Sequence, residues 1–148
     1  MAFLQSEHAT RVANTATAGC AGVEVAQMFE IDLGGQTLAA GDTIELGVLP
    51  AYNRISGGYI ACGNTTLAGD IGVMSGDVGD EDPARLVGDE IAAAFAATSA
   101  TAVTPITALT AFEVEDTDKD RSIGFKVTTG ATLAAGVKLQ LLLKYRAV

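Results

Sequence analysis

Val137-Lys138-Leu139-Gln140-Leu141-Leu142-Leu143-Lys144-Tyr145-Arg146 alternates apolar and polar side chains with a period of two. Val137, Leu139, Leu141, Leu143 and Tyr145 share one parity, and Lys138, Gln140, Lys144 and Arg146 the other. Only Leu142 breaks the polar side. A segment of this kind is a strand with one face in a core and one face outward. The same period appears upstream in Ile123, Phe125 and Val127. It appears again in Val23, Val25, Phe29, Ile31 and Leu33, interrupted at that parity by Gln27.

Between these anchors, turn residues punctuate further short strands. Gly34-Gly35 ends the Val23–Leu33 run, and Ala40-Gly41-Asp42 turns into Ile44, Leu46 and Val48. Pro50 closes that strand because it cannot donate to a ladder. Ile55 to Ala61 and Asp70 to Ser75 read as the next two strands, Gly76 to Pro83 as a loop, and Ala102 to Val114 as a β-leaning stretch with Pro105 at an edge or bend. Residues Ile91 to Ala97 fit a helix by alanine content and the Ile91–Phe95 spacing. They fit a strand by the parity of Ile91, Ala93, Phe95 and Ala97, and the flanking strands favour the latter. Short strands, Gly-rich turns and no long helical period predict an all-β domain, a β-sandwich or barrel, over residues 23–148. Residues 1–22 lack periodicity and read as an extended N-terminal arm. Its apolar pair, Phe3 and Leu4, favours a position along a neighbouring chain.

The chain has 148 residues, a one-domain length, with 9 Lys and Arg against 18 Asp and Glu, a net charge of -9. That balance repels polyanions and anionic lipid surfaces, so neither nucleic acid nor membrane is an expected partner. Hydrophobic residues make up 49% and charged residues only 18%, while Trp is absent. A sparsely charged surface on so small a domain points to coverage by another subunit or partner. No apolar run reaches membrane-span length. Thr17-Ala18-Gly19-Cys20 looks like a lipoprotein cleavage box, but the residues before it are polar and argue against one. Cys20 and Cys62 have no metal or disulfide-framework spacing and fit free thiols in a reducing cytoplasm.

Motifs for chemistry are sparse. The single histidine, His8, lies in the arm without a rigid nucleophile–acid setting. No phosphate-cradle, dinucleotide or nucleophile-elbow pattern is present. Asp116-Thr117-Asp118-Lys119-Asp120 opens like a calcium loop. However, Arg121 stands where such a loop needs glycine, and Val127 where it needs a bidentate glutamate. It and the acidic run Asp77 to Asp82 read as solvated turns, with a cation across a subunit interface left open. Glu113 and Glu115 share a parity that glycosidic acid–base chemistry would use, without the aromatic platforms of a sugar site. Asn64-Thr65-Thr66 has the form of a glycosylation acceptor, which matters only in a secreted chain. No enzyme activity and no cofactor are expected.

The stretch Ala40-Gly41-Asp42-Thr43-Ile44-Glu45-Leu46-Gly47-Val48-Leu49-Pro50-Ala51-Tyr52-Asn53-Arg54-Ile55 resembles the capsid decoration (cement or head-stabilising) proteins of tailed bacteriophages. The likeness continues through Asp70 to Asp77 and through Ala135 to Tyr145. It implies a β-sandwich or jelly-roll-like homo-oligomer, a trimer favoured. Made in the host cytoplasm, it would bind the major capsid protein on the outer surface of the virion and bridge capsomers. Under that resemblance Phe3, Leu4 and Arg11 are the expected capsid or subunit contacts. A head-fibre or receptor- or carbohydrate-binding β module, or a tail structural protein, is the alternative.

Overall fold

In the computed structural model, which describes residues 2–10, 14–17 and 22–148, the alternating segments form strands. In chain order they are β1 (Phe3–Gln5), β2 (Glu24–Asp32), β3 (Thr37–Leu38), β4 (Thr43–Leu49), β5 (Asn53–Cys62) and β6 (Ala68–Val73). Then come β7 (Ala92–Ala96), β8 (Val103–Pro105), the helix α1 (Leu109–Glu113), β9 (Arg121–Thr129), β10 (Ala131–Thr132) and β11 (Lys138–Ala147). One sheet has the order β1-β4-β9-β6-β7, a second the order β2-β11-β5-β8, and β3 and β10 form a small ladder. Phe29, Leu139, Leu141, Leu143 and Tyr145 from the four-stranded sheet share one core with Ile44, Leu46, Ile71, Ile123 and Phe125 from the five-stranded sheet. The fold is an all-β sandwich, one of the two architectures that the alternation allows.

β4 departs from simple alternation. Its register against β9 slips between Glu45 and Gly47, a bulge that changes which parity faces inward. Ile44, Leu46 and Leu49 belong to the core, Gly47 lies against the Phe29 ring, and Val48 does not join them. Every residue of β4 is nonetheless buried, because a further layer covers the outer face of its sheet.

That layer is the segment from Met74 to Glu90, folded back across β4, β9 and β6. Gly72 and Gly124 are cross-strand partners beneath it. A Cβ on Gly72 would stand 2.4 Å from the Gly88 backbone, and one on Gly124 2.4 Å from Met74. The paired glycines therefore leave a trough in which this strap lies. The strap is fastened by Arg85, only 4% exposed, and Glu45, 0% exposed. Arg85 Nη1 is 3.0 Å from Glu45 Oε1. Arg85 Nε donates to Ser75 O at 2.6 Å, Nη1 to Asp80 O at 2.9 Å and Nη2 to Ser122 Oγ at 2.7 Å. Glu45 also accepts from the Ser122 hydroxyl, from Gly79 N–H at 3.0 Å and from Gln5 Nε2 at 2.7 Å. The pair thus links β1, β4, β9 and the strap.

Residues 2–10 do not form a free arm. β1 pairs in parallel with β4 through Phe3–Thr43, Leu4–Ile44 and Gln5–Glu45. Leu4 packs against the core of its own domain, and Ser6 and Ala9 are buried. The Phe3–Leu4 pair is thus laid along its own sheet rather than along a neighbour, because the edge of β4 would otherwise present unpaired backbone groups. Asp42 holds this start in place, accepting from Ala39 N–H at 2.8 Å and Ala2 N–H at 2.6 Å. These two bonds, Ala39 first, keep its carboxyl below the usual range. His8 stacks edge-on against Phe29 with centroids 4.9 Å apart. Burial lowers its pKa, and Glu7 partly opposes the shift.

Two other expectations meet the structure. Residues 92–96 form strand β7, but Ala94 adopts a left-handed φ of 50°. The resulting irregularity leaves Ala93 exposed while Ile91, Phe95 and Ala97 are buried. The stretch 102–114 is strand only at β8; Leu109–Glu113 is a helical turn that buries Ala111 and leaves Phe112 39% exposed. The buried pair Ala111 and Val114 has the three-residue spacing of a helix, but a single such pair does not stand out among β-favouring neighbours.

Two outcomes follow from this packing. Arg85→Met leaves Glu45 charged and buried without its cation, and should lower unfolding free energy by about 3–5 kcal/mol. Glu45→Leu combined with Arg85→Met should lose less than the sum of the single losses in urea unfolding, since the double change strands no charge. The second outcome concerns pH. His8 has a depressed folded-state pKa, so its contribution is present above the ordinary value of 6.5 and is lost as pH falls through the folded value. Asp42 acts in the same sense lower down, below its ordinary 3.8. The melting temperature should fall between about pH 7 and pH 5, and His8→Phe should flatten that part of the profile.

Candidate interaction surfaces

The outward face of the β2-β11-β5-β8 sheet carries an apolar row. Register places Met28 opposite Leu142, Leu142 opposite Tyr59, and Tyr59 opposite Pro105. In the next row Glu30 faces Gln140, Gln140 faces Ala61, and Ala61 faces Val103. Met28, Tyr59 and Val103 are 45%, 42% and 60% exposed. Together with Leu142 they border a shallow depression of about 150 Å³. Lys144 Nζ lies 6.0 Å from the Tyr59 ring centroid at one side, and Arg146 is exposed further along β11. At the other side Glu30 is occupied, accepting from Lys138 Nζ at 2.6 Å and Gln140 Nε2 at 2.5 Å, which lowers its pKa. The one residue that breaks the polar parity of β11, Leu142, is therefore the centre of this patch. Its register partners were beyond reach of the sequence pattern.

The strap presents a second surface. Asp77, Asp80, Glu81 and Asp82 are exposed, and Leu86 beside them is 72% exposed. The carboxylates also build the loop: Asp80 Oδ1 accepts from Asp82 N–H at 3.2 Å and Asp82 Oδ1 from Ala84 N–H at 2.9 Å. The other acidic run is committed to its neighbours as well. Asp120 Oδ1 accepts from Ala51 N–H at 2.9 Å, Thr117 O from Tyr52 N–H at 2.8 Å, and Asp116 from Arg54 Nε at 3.2 Å. Asp116 to Asp120 thereby holds the turn between β4 and β5. Among the described residues, no group of three His, Cys, Asp or Glu side chains is placed to hold a metal ion.

Glu113 and Glu115 do not share a strand face: Glu113 ends α1 and Glu115 lies in the following loop. With Glu90, Thr110 and Arg121 they line an open cleft of about 400 Å³. Arg121 Nε and Nη2 are buried there without hydrogen-bond partners, and burial lowers its pKa. His8 Nδ1 lies 3.3 Å from Thr15 Oγ1, and Cys62 is a buried free thiol whose pKa burial raises. Phe3 and Leu4 are built into the five-stranded sheet, while Arg11 and Cys20 lie outside the described residues. No helix among the described residues is long and apolar enough to cross a membrane.

No protein-family model matches the chain, and no curated protein matches it. A chain in the solved capsid of Ralstonia phage GP4 is similar over 99% of both chains, at 38% sequence identity and a TM-score of 0.90. Likeness of that identity across the whole length, with the same sandwich, is shared ancestry and not shared architecture alone: the chain belongs to the family of phage capsid proteins that this chain represents, and its role is that of a virion structural protein.

Proposed function

We propose that this protein is a capsid decoration, or cement, protein of a tailed-phage head. In this reading it is made in the host cytoplasm and then binds the outer surface of the shell, where it contacts the major capsid protein and bridges capsomers. It acts as a small homo-oligomer, a trimer favoured, and performs no catalysis. The observation that carries the reading is the whole-length likeness to a chain of the GP4 capsid. The described residues of this 148-residue chain form one sandwich with apolar surface rows, which suits a cover more than a shell-forming subunit. Its charge of -9 keeps free copies apart before assembly.

The mechanism is mass action. A protein that binds the assembled shell and not its separated subunits shifts the equilibrium toward the shell. At a hundred-fold excess over Kd each occupied site adds about 2.7 kcal/mol. Contacts with several capsomers at once add avidity without new chemistry.

Purified heads stripped of this protein provide the test. Added protein should bind them saturably from outside, fail to bind dissociated capsid subunits, and raise the temperature at which heads release DNA. Absence of binding to stripped heads sinks the reading. Binding to bacterial surface glycans instead would favour a receptor-binding module, and rings or tubes formed by the protein alone would favour a tail component.

A further inference from the structure

We infer that the apolar depression on the β2-β11-β5-β8 face receives the strap of a second copy of this chain. Leu86 would enter over Leu142, and the strap's carboxylates would meet Lys144 and Arg146. The inference deepens the oligomer part of the reading above and rests on it. The two surfaces complement each other in shape and in charge. One is a hollow of about 150 Å³ floored by Leu142 and rimmed by Met28, Tyr59 and Val103. The other is a single apolar side chain, Leu86, that is 72% exposed and follows Asp80, Glu81 and Asp82 in the chain.

Charge separates the same two surfaces. Four of the nine cations, Arg54, Lys138, Lys144 and Arg146, lie on strands of the four-stranded sheet. Lys138 is held by Glu30 and Arg54 by Asp116, which leaves Lys144 and Arg146 for a partner. The strap carries six carboxylates from Asp77 to Glu90, and its one cation, Arg85, is turned inward to Glu45. A protein of net charge -9 offers few places where a second copy can approach without repulsion, and this pairing is one.

Arg85 precedes Leu86 directly, and its guanidinium is bonded to Ser75 O, Asp80 O, Ser122 and Glu45. The strap is therefore held in shape before any contact, which limits the ordering entropy of association. Because the donor and acceptor patches differ, the contact is head-to-tail. Copies close into a ring if the rotation between them closes.

Light scattering behind a sizing column tests this with two surface variants, Leu86→Asp and Leu142→Asp, each checked for an unchanged circular dichroism spectrum. The wild type should run as a multiple of 15.0 kDa, and each variant alone as a single chain. Mixed in equal amounts, the two should form a dimer of twice 15.0 kDa, because the intact Leu86 of one meets the intact hollow of the other and no further copy can add. If Leu142→Asp fails to fold, Lys144→Glu takes its place, and the mixture with Leu86→Asp should again give the dimer. A wild type that is a single chain overturns both this inference and the oligomer reading. A wild-type oligomer whose mass neither variant changes, or variants that stay single when mixed, overturns the assigned surfaces alone. Binding to stripped heads is read separately and is unaffected by either result.

Discussion

A carboxylate buried at 0% exposure in the middle of a strand is tolerable only if other groups come to it, and around Glu45 four do. Arg85 supplies the charge, Ser122 and the Gly79 amide supply hydrogen bonds, and Gln5 closes the remaining oxygen. Desolvating one ion alone would be prohibitive, so the strand cannot settle in the sheet unless the strap folds over it. The same requirement recruits β1, whose Gln5 lies in register with Glu45. A two-layer sandwich thereby gains a third, irregular layer on one side. The paired glycines at 72 and 124 are the steric counterpart of that electrostatic demand, since any side chain there would lift the strap off its anchor.

The same arrangement explains what could be read from the sequence and what could not. β11, β9 and β2 were legible because the apolar period of two on their core-facing side runs along most of each strand, with Gln27 its interruption in β2; Leu139, Leu141, Leu143 and Tyr145 are all 0% exposed, as their parity requires. β4 was legible as a strand but not in its facing, because a bulge at Glu45 exchanges the parities halfway along. Its burial on both faces depends on an arginine forty residues away. That arginine comes just after the Gly/Asp-rich loop of Gly76 to Pro83, and nothing in the composition there names a partner for it. An isolated arginine followed by Leu86-Val87 inside an acidic run was the available signal, and local pattern gives no means of pairing it with Glu45. The place of β1 in the sheet has no sequence signal for a related reason: three residues in parallel pairing leave no periodicity to detect.

Of the interaction surfaces, one residue was visible in advance. Leu142 stood out as the exception on a polar face, and the register turns that exception into a row that includes Met28, Tyr59 and Pro105. Cross-strand neighbours come from positions dozens of residues apart, so a patch that is contiguous in space is scattered in sequence. Acidic clusters were visible too, though their roles divide. Asp116 to Asp120 is spent on holding the β4–β5 turn, whereas Asp77, Asp80, Glu81 and Asp82 point their charge outward from a fixed strap.

A capsid component has to bind through its surface, and surfaces bind well when they are rigid before contact. In this chain rigidity of the exposed strap is produced from within, by a buried ion pair whose own contribution to stability is modest once desolvation is counted. Replacing Glu45 and Arg85 by apolar residues of similar size would relieve that desolvation, yet would remove the bonds that fix Ser75, Gly79 and Asp80 relative to the sheet. The polar core is therefore better understood as a means of specifying the position of the outer loop than as a source of stability. The acidic, leucine-bearing edge it positions is the part of the molecule that another chain would meet.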